Sequence, residues 1–395
     1  MAEPAASVRP RLPIASSWAE VDLAAVRHNL KAIRELVGPG CGVWAVVKTN
    51  AYGHGLVETA RAAEQGGATG LAVATLPEGA HLRRAGLTCP VLVLRAGDPR
   101  GARQTVRLEL THTLCTTELA RALSRASQAL GKPARVHLKL DTGMGRLGLL
   151  PEEATPFARS LLHLPGLRPE GVFSHLASAD AEDPGYTHVQ LRRFLSMVDS
   201  LRAAGLDPGV RHLANSAATL RFPETRLDGV RTGLLTYGIL PDAPSLPRVD
   251  LRPALTWKTR LAFVHRLPPG SRVSYGGTYL AKHQALVGVL PLGYADGYPR
   301  HASNRAYVLV RGKRCPVVGR VCMDHTMVDL TGLAEARAGE EVVLVGRQGD
   351  DCITANDVAR WAGGVVHEVT TLIGDRVVRV YRNRMQAEQR SGAEE

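Results

Sequence analysis

The chain has 395 residues, 49 Lys and Arg against 37 Asp and Glu, a net charge of +12, and is 45% hydrophobic and 22% charged. That length holds one large domain plus a smaller one, and the apolar fraction excludes wholesale disorder and collagen-like repeats. No apolar run reaches the roughly 18 residues of a membrane span, and the opening residues lack the apolar stretch of a secretory signal, so a cytoplasmic chain with no membrane partner is expected.

The six cysteines (Cys41, Cys89, Cys115, Cys315, Cys322 and Cys352) show no CxxC pair, so neither a metal site nor a disulfide framework is expected. Only 7 of the 49 basic residues are lysine, and the arginines are spread along the chain. With aromatics at 5%, the interleaved basic and aromatic surface of a nucleic-acid binder is missing, and no nucleic-acid partner is expected.

In chain order, residues 1–20 read as an N-terminal segment associated with the β domain, 21–250 as a barrel, 251–384 as a C-terminal β domain, and 385–395 as a disordered tail. The first helix is capped by Asp22, repeats Val26, Leu30, Ile33 and Val37 at helical spacing, and stops at Gly38. Eight apolar runs follow: Val43–Val47, Gly70–Ala74, Val91–Leu94, Leu110–Cys115, Arg135–Leu140, Gly171–His175, Val210–Ala214 and Asp228–Gly233. Helical stretches such as Thr117–Leu130 and Gln190–Ala204 separate most of them.

Strands apolar on both faces, each followed by a helix, imply a parallel sheet. Eight such units match a (β/α)8 TIM-type barrel, whose active sites lie at the carboxyl ends of its strands. An open doubly wound sheet is the alternative, although no GxGxxG follows an early strand to support its dinucleotide-binding version. Beyond residue 250, Leu261–Leu267, Ala285–Leu290, Tyr307–Val310 and Glu341–Val345 lie between turns such as Pro268–Gly270 and Gly346–Gly349. They read as a mostly antiparallel β domain with one short helix near Asn356–Trp361.

Lys48 follows the first barrel strand within Val47-Lys-Thr-Asn-Ala-Tyr-Gly-His-Gly55. An ammonium placed after five apolar residues is costly unless it is paired, neutralised or covalently used. A lysine reaching water beyond the sheet edge is the plain alternative. Against it stands the polar loop of Tyr52, Gly53, His54 and Gly55, at the end of the barrel where chemistry occurs. A desolvated lysine is the usual carrier of a Schiff base.

This stretch resembles the cofactor-lysine motif of alanine racemases, fold-type III enzymes that use pyridoxal 5'-phosphate. The likeness continues in register at Trp18–Leu23, Asp141–Gly148, His212–Ser216, Val230–Gly233 with Tyr237–Gly238, Val273–Gly276, Gly293–Gly297 and Gly319–Asp324. It implies a (β/α)8 barrel, a C-terminal β domain and a head-to-tail homodimer with shared sites acting on a small amino acid. By this resemblance Lys48 carries the cofactor and serves as base on one face of the substrate α-carbon, and Tyr275 of the other subunit serves the opposite face. Racemisation removes a proton from one side and returns it from the other, so two acid–base groups are natural. A tyrosine hydroxyl is a weak acid, so this role would call for a cationic neighbour.

The same resemblance sets Arg231 against the pyridine nitrogen, with His175 and His212 orienting it or touching the ring. The phosphate would rest on Ser216, the Gly233 and Leu234 amides and the Tyr52 hydroxyl, supported by Asn215. Arg146 would contact the cofactor phenolic oxygen and the substrate carboxylate, and Met323 of the partner would offer its amide to that carboxylate. Lys139 matches a lysine that is carbamylated in some members, and Asp180, Tyr294, Arg300 and Arg320 match the access corridor. One departure stands out: His367 occupies the position before Glu-Val where the family usually has a phosphate-contacting tyrosine. It could still donate to a phosphate oxygen, but it leaves room for a racemase of serine or of broader range. Further alternatives are a fold-type III decarboxylase and a non-catalytic protein that binds pyridoxal phosphate.

Overall fold

The computed structural model describes residues 16–384; residues 1–15 and the tail 385–395 lie outside the described residues. The described residues divide into two compact units, one of Asp22–Ala254 with Tyr381–Arg384, the other of Leu255–Val380 with Ser16–Val21.

The first unit is a closed parallel barrel of eight strands. In order these are Gly42–Val46, Gly70–Val73, Val91–Val93, Thr111–Leu114, Ala134–Lys139, Leu167–Phe173, Val210–His212 and Gly229–Thr232. The first closes on the eighth, with Gly42 opposite Gly229 and Trp44 opposite Arg231. Every expected strand forms, because runs buried on both faces have no other stable pairing. The opening helix Leu23–Val37 begins where the Asp22 carboxylate accepts the Ala24 and Ala25 amides at 2.9 and 3.3 Å, and it ends at Gly38 with φ 82°. The expected helix Thr117–Leu130 forms with those limits, whereas Gln190–Ala204 is the later part of a longer helix, Gly185–Ala203, that starts behind Pro184.

The barrel interior is filled by aromatic and imidazole rings. Trp44 stacks on His212 with centroids 6.1 Å apart, and Phe173 lies on the same ring at 4.9 Å. Glycines on neighbouring strands leave room for them. A methyl at Gly70 would stand 2.6 Å from the Trp44 ring, and one at Gly171 2.8 Å from His137.

The second unit is antiparallel. Its main sheet runs Lys313–Pro316, Tyr307–Val310, Glu341–Gln348, Leu255–Arg260, Ser17–Asp22, Val378–Arg382, with Asp351–Ile353 added to Glu341–Gln348. A three-stranded sheet joins Phe263–Leu267, Ala285–Leu290 and Thr326–Asp329, and a short ribbon pairs Arg272–Val273 with Tyr279–Leu280. The turn expected over Gly346–Gly349 is displaced. The strand continues to Gln348, which pairs with Asp351. Gly346 lies inside the strand because a methyl there would meet the Thr256 side chain at 2.5 Å. Two helices form here, Ala355–Ala362 and Val366–Thr371, where one was expected. Among the described residues no helix is long and apolar enough to cross a membrane.

Candidate active site

Lys48 stands just past the first barrel strand, at the head of a turn that winds left-handed. Thr49, Asn50, Ala51 and Tyr52 all have φ between 52° and 54°. For residues with a Cβ this costs roughly 1–2 kcal/mol each, so the surroundings must hold it. The Glu78 carboxylate accepts the Thr49 amide at 2.7 Å. Asn50 accepts the Gly55 amide at its carbonyl (2.9 Å) and the Leu56 amide at its side chain (2.8 Å). Gly55 has φ 96°, and any Cβ there would lie 1.7 Å from the Tyr381 hydroxyl. The glycines of the motif are therefore a requirement of packing as well as of turning.

The turn delivers two side chains. Tyr52 is buried against Tyr237, ring centroids 5.1 Å apart, and burial pushes its hydroxyl up to about 12. Lys48 is held below the ordinary lysine value, first by burial and then by the Arg146, Arg95 and Arg231 guanidiniums, with Glu78 opposing them. Its amine is thereby biased toward the neutral, reactive form.

Arg231, on the eighth strand, is buried among acceptors. It donates to the carbonyls of Ser174 (2.6 Å), His212 (2.7 Å) and Leu213 (3.2 Å), and it approaches His212 Nδ1 at 3.1 Å and His175 Nδ1 at 3.3 Å. Burial pulls it down to about 9, so it stays a cation at neutral pH. A guanidinium can only donate. His212 Nδ1 therefore accepts, its Nε2 carries the proton, and that proton points to His137 Nδ1 at 2.8 Å. Burial first, and Arg231 second, hold His137, His175 and His212 neutral; His137 falls to about 3.

Lys139 ends the fifth strand, buried, 5.0 Å over the Phe173 ring and donating to the Leu140 carbonyl at 3.1 Å. Burial, then Arg231 and Arg146 against Asp141, lower it to about 7. The following loop is wound around the Asp141 carboxylate, which accepts the amides of Gly143, Met144, Gly145 and Arg146 at 2.8–3.2 Å. Burial acts to raise the Asp141 carboxyl, but these donors outweigh it and leave it below the usual range. The loop presents Arg146 to the same neighbourhood, where its charge acts on Lys48, Lys139 and His175.

A second set of donors meets where two helical turns begin. Asn215 caps Ser216–Arg221 by accepting the Ala218 amide at 3.0 Å. The Ser216 hydroxyl oxygen accepts the Gly233 amide at 3.0 Å, with the Leu235 amide at 3.5 Å. Leu235 joins this set beside the expected Gly233, because the chain turns tightly into Leu234–Tyr237. A methyl at Gly233 would stand 2.4 Å from the Tyr52 hydroxyl, so glycine brings backbone and phenol into close approach.

The remaining residues lie in the second unit, apart from Asp180, which is exposed in the loop after the sixth barrel strand. Tyr275 is 71% exposed, following Ser274 with φ 66°. The Ser274 hydroxyl donates to the Arg320 carbonyl at 2.6 Å, and a methyl at Gly319 would meet Ser274 at 2.7 Å. Tyr294 and Ala295 donate their amides to Cys322 and Met323 at 3.0 and 3.1 Å. Arg300 joins through Ser303, whose hydroxyl donates to the Arg300 carbonyl and accepts the Val321 amide. Tyr275, Tyr294, Arg320 and Met323 are thus exposed on interlocked loops. His367 is exposed on Val366–Thr371, with its carbonyl accepting the Thr371 hydroxyl at 2.6 Å.

Two family models cover most of the chain: alanine racemase, N-terminal domain, over residues 21–241, and alanine racemase, C-terminal domain, over residues 254–381. The chain belongs to the alanine racemase family. The alanine racemase of Symbiobacterium thermophilum is 47% identical, across 92% of this chain and 97% of its own length. Among solved alanine racemases, that of Streptomyces lavendulae superposes with a TM-score of 0.89 at 38% identity, covering 95% of this chain and 99% of its own. That of Bacillus anthracis with bound L-Ala-P gives 0.86 at 39% identity, covering 93% and 96%.

Four residues of this neighbourhood escape the sequence reading. His137 reads as an ordinary strand residue until the parallel register sets it against His212. Trp44 and Phe173 read simply as core. Glu78 reads as a helix-start acid, and only the fold shows its second oxygen reaching Thr49. The alternation His137, Lys139, Asp141 along one strand end is the signal that could have found the first.

Proposed function

We propose that this chain interconverts L- and D-alanine with pyridoxal 5'-phosphate, as a homodimer whose sites each combine Lys48 of one copy with Tyr275 of the other. The observation that carries this reading is Lys48, a lysine at the barrel mouth whose charge is disfavoured by burial and three guanidiniums. The residues fit the cofactor. The Gly233 backbone, Ser216 and Tyr52 form a donor set that a Cβ at Gly233 would close, and Arg231 is a fixed cation at the adjacent strand end.

When bound, the cofactor supplies a sink for the electron pair left at the substrate α-carbon. Lys48 Nζ takes or returns the Cα proton on one face, and Tyr275 Oη does so on the other. Arg231 donates to the pyridine nitrogen and, remaining a cation, keeps it unprotonated, which restrains competing transamination. His212, His175 and His137 hold that guanidinium in place as neutral rings. Arg146 and the Met323 amide of the second copy take the substrate carboxylate. Asn215 fixes the turn carrying Ser216, the Leu234 and Leu235 amides flank the phosphate with Gly233, and His367 donates to it. Asp180, Tyr294, Arg300 and Arg320 line the access corridor. The bound L-Ala-P of the Bacillus anthracis relative supports an alanine-sized pocket.

A chiral assay over a panel of L-amino acids tests the reading. D-Alanine should form with the highest kcat/KM. A higher value for serine would favour the broader-range alternative that His367 in place of tyrosine suggests, and no D-product from any amino acid would refute catalysis. Gly233→Val tests the cradle: the branched side chain must displace the buried Tyr52 hydroxyl, so cofactor retention should fall at least about tenfold, measured by equilibrium dialysis. Retention equal to wild type would place the phosphate elsewhere.

Lys139 motivates a further test. With its amine near pH 7, a large share is neutral and can add CO2, releasing a proton and leaving a carbamate anion among Arg231 and Arg146. Protein in 13C-bicarbonate should show a carbamate carbon resonance that Lys139→Met abolishes. Its persistence in that variant would clear Lys139 of the role.

A further inference from the structure

We infer that Glu78 is a positioning residue, a clamp that sets the left-handed turn carrying Lys48 and Tyr52 and faces Lys48 with a negative charge. Glu78 is the third residue of helix Leu76–Arg84 and completes a capping box with Thr75. An ordinary capping box uses one carboxylate oxygen on the cap amide. Here Oε2 does that and more, accepting the Thr75 amide at 3.0 Å and the Ala74 amide at 2.7 Å. Oε1 is thereby freed to reach another element, and it accepts the Thr49 amide at 2.7 Å. One carboxylate thus ties the start of the turn to the end of the second barrel strand, Gly70–Val73, and to the helix that follows it.

The turn needs such a tie. Its four residues have side chains and positive φ, and Thr49, the first of them, shows no local reason to leave the right-handed region. Within the turn the Ala51 amide donates to the Val47 carbonyl at 2.9 Å, and at its exit Asn50 accepts the Gly55 and Leu56 amides; Glu78 adds a bond from the Thr49 amide to a neighbouring helix. The entrance sets the direction of Lys48. Hydrogen bonds to an ionised acceptor are about twice as strong as neutral ones, which suits this load.

The charge has a second consequence. The groups acting on Lys48 are Arg146, Arg95 and Arg231, which disfavour its ammonium, and Glu78, which favours it. Without Glu78 the balance tips wholly to the cations, and Lys48 is driven further toward the neutral amine.

The test compares full-length wild type with Glu78→Ala and Glu78→Gln by two readouts. The first is hydrogen exchange across residues 48–56. Loss of the clamp should speed it about tenfold in Glu78→Ala, and by less in Glu78→Gln, whose amide oxygen can serve one of the three donors. The second is the pH profile of kcat for alanine, which reports groups in the substrate complex. Its acid limb should move to lower pH in both variants, an effect that loosened packing alone would not produce. Unchanged exchange in both variants, or an acid limb that stays in place in Glu78→Gln, would overturn the inference. Should Glu78→Ala fail to fold, Glu78→Gln decides by itself. The consequence for catalysis rests on the proposed role of Lys48. If wild type racemises nothing, that role fails, and the exchange measurement still decides whether Glu78 is the clamp.

Discussion

Lys48→Ala should lower alanine racemisation by at least about 10^4-fold while leaving the melting temperature unchanged or raised. Activity and stability separate here because the surroundings of Lys48 disfavour its charge on balance. Burial and the Arg146, Arg95 and Arg231 charges disfavour its ammonium and outweigh the attraction of Glu78, so its removal relieves repulsion on balance. On the proposed mechanism, function loses both the covalent anchor and the base that moves a proton on one face of the substrate. Lys48→Arg should fare no better, since a guanidinium keeps its proton at any working pH and forms no equivalent linkage. Borohydride reduction of the wild type followed by peptide mapping should place a pyridoxyl group on Lys48, and neither variant should be labelled there. A label on another lysine, or residual activity within about tenfold of wild type, would remove Lys48 from the centre of the reaction.

The barrel is legible in the sequence because its strands carry an unusual burden. Segments such as Val43–Val47 and Val91–Leu94 are apolar on both faces, which in water only a covered parallel sheet tolerates. The caps are equally plain: Asp22 and Gly38 bracket the first helix as their chemistry requires. The second unit is harder to read. Arg272–Val273 and Tyr279–Leu280 are two-residue strands with no room for an alternating pattern, and Ser17–Asp22 finds its partner Leu255–Arg260 across more than two hundred residues. Gly346 reads as a turn but lies within a strand, because close approach to Thr256 excludes a side chain there. The same residue type marks a turn in one place and a tight contact in another, and only the neighbour decides which.

Much the same division runs through the site. Lys48, Arg146, Arg231, His212 and Ser216 stand in recognisable strings, and each lies at or just past the carboxyl end of a barrel strand. The left-handed turn is illegible, since Thr, Asn, Ala and Tyr in succession give no hint of positive φ. It exists because Glu78, Asn50 and the glycines over-determine it, which is the usual circumstance of strain at a functional site. His137 is hidden for a related reason: its partner, His212, lies on a strand two places further along the barrel, and residue spacing cannot express that distance.

The central claim is that one working site joins Lys48 of one copy to Tyr275 of another, and subunit mixing tests it most directly. Lys48→Ala and Tyr275→Ala homodimers should each be nearly inactive. When the two are mixed and exchange freely, about half of the dimers contain one chain of each kind. Every such dimer has one site lacking both residues and one site with both intact. About a quarter of all sites should then recover, since half of the dimers regain one site of two. Activity rising toward a quarter of wild type, with exchange confirmed by native mass spectrometry, is the expected result. Activity that stays at background despite confirmed exchange would mean that Lys48 and Tyr275 do not work together across two chains.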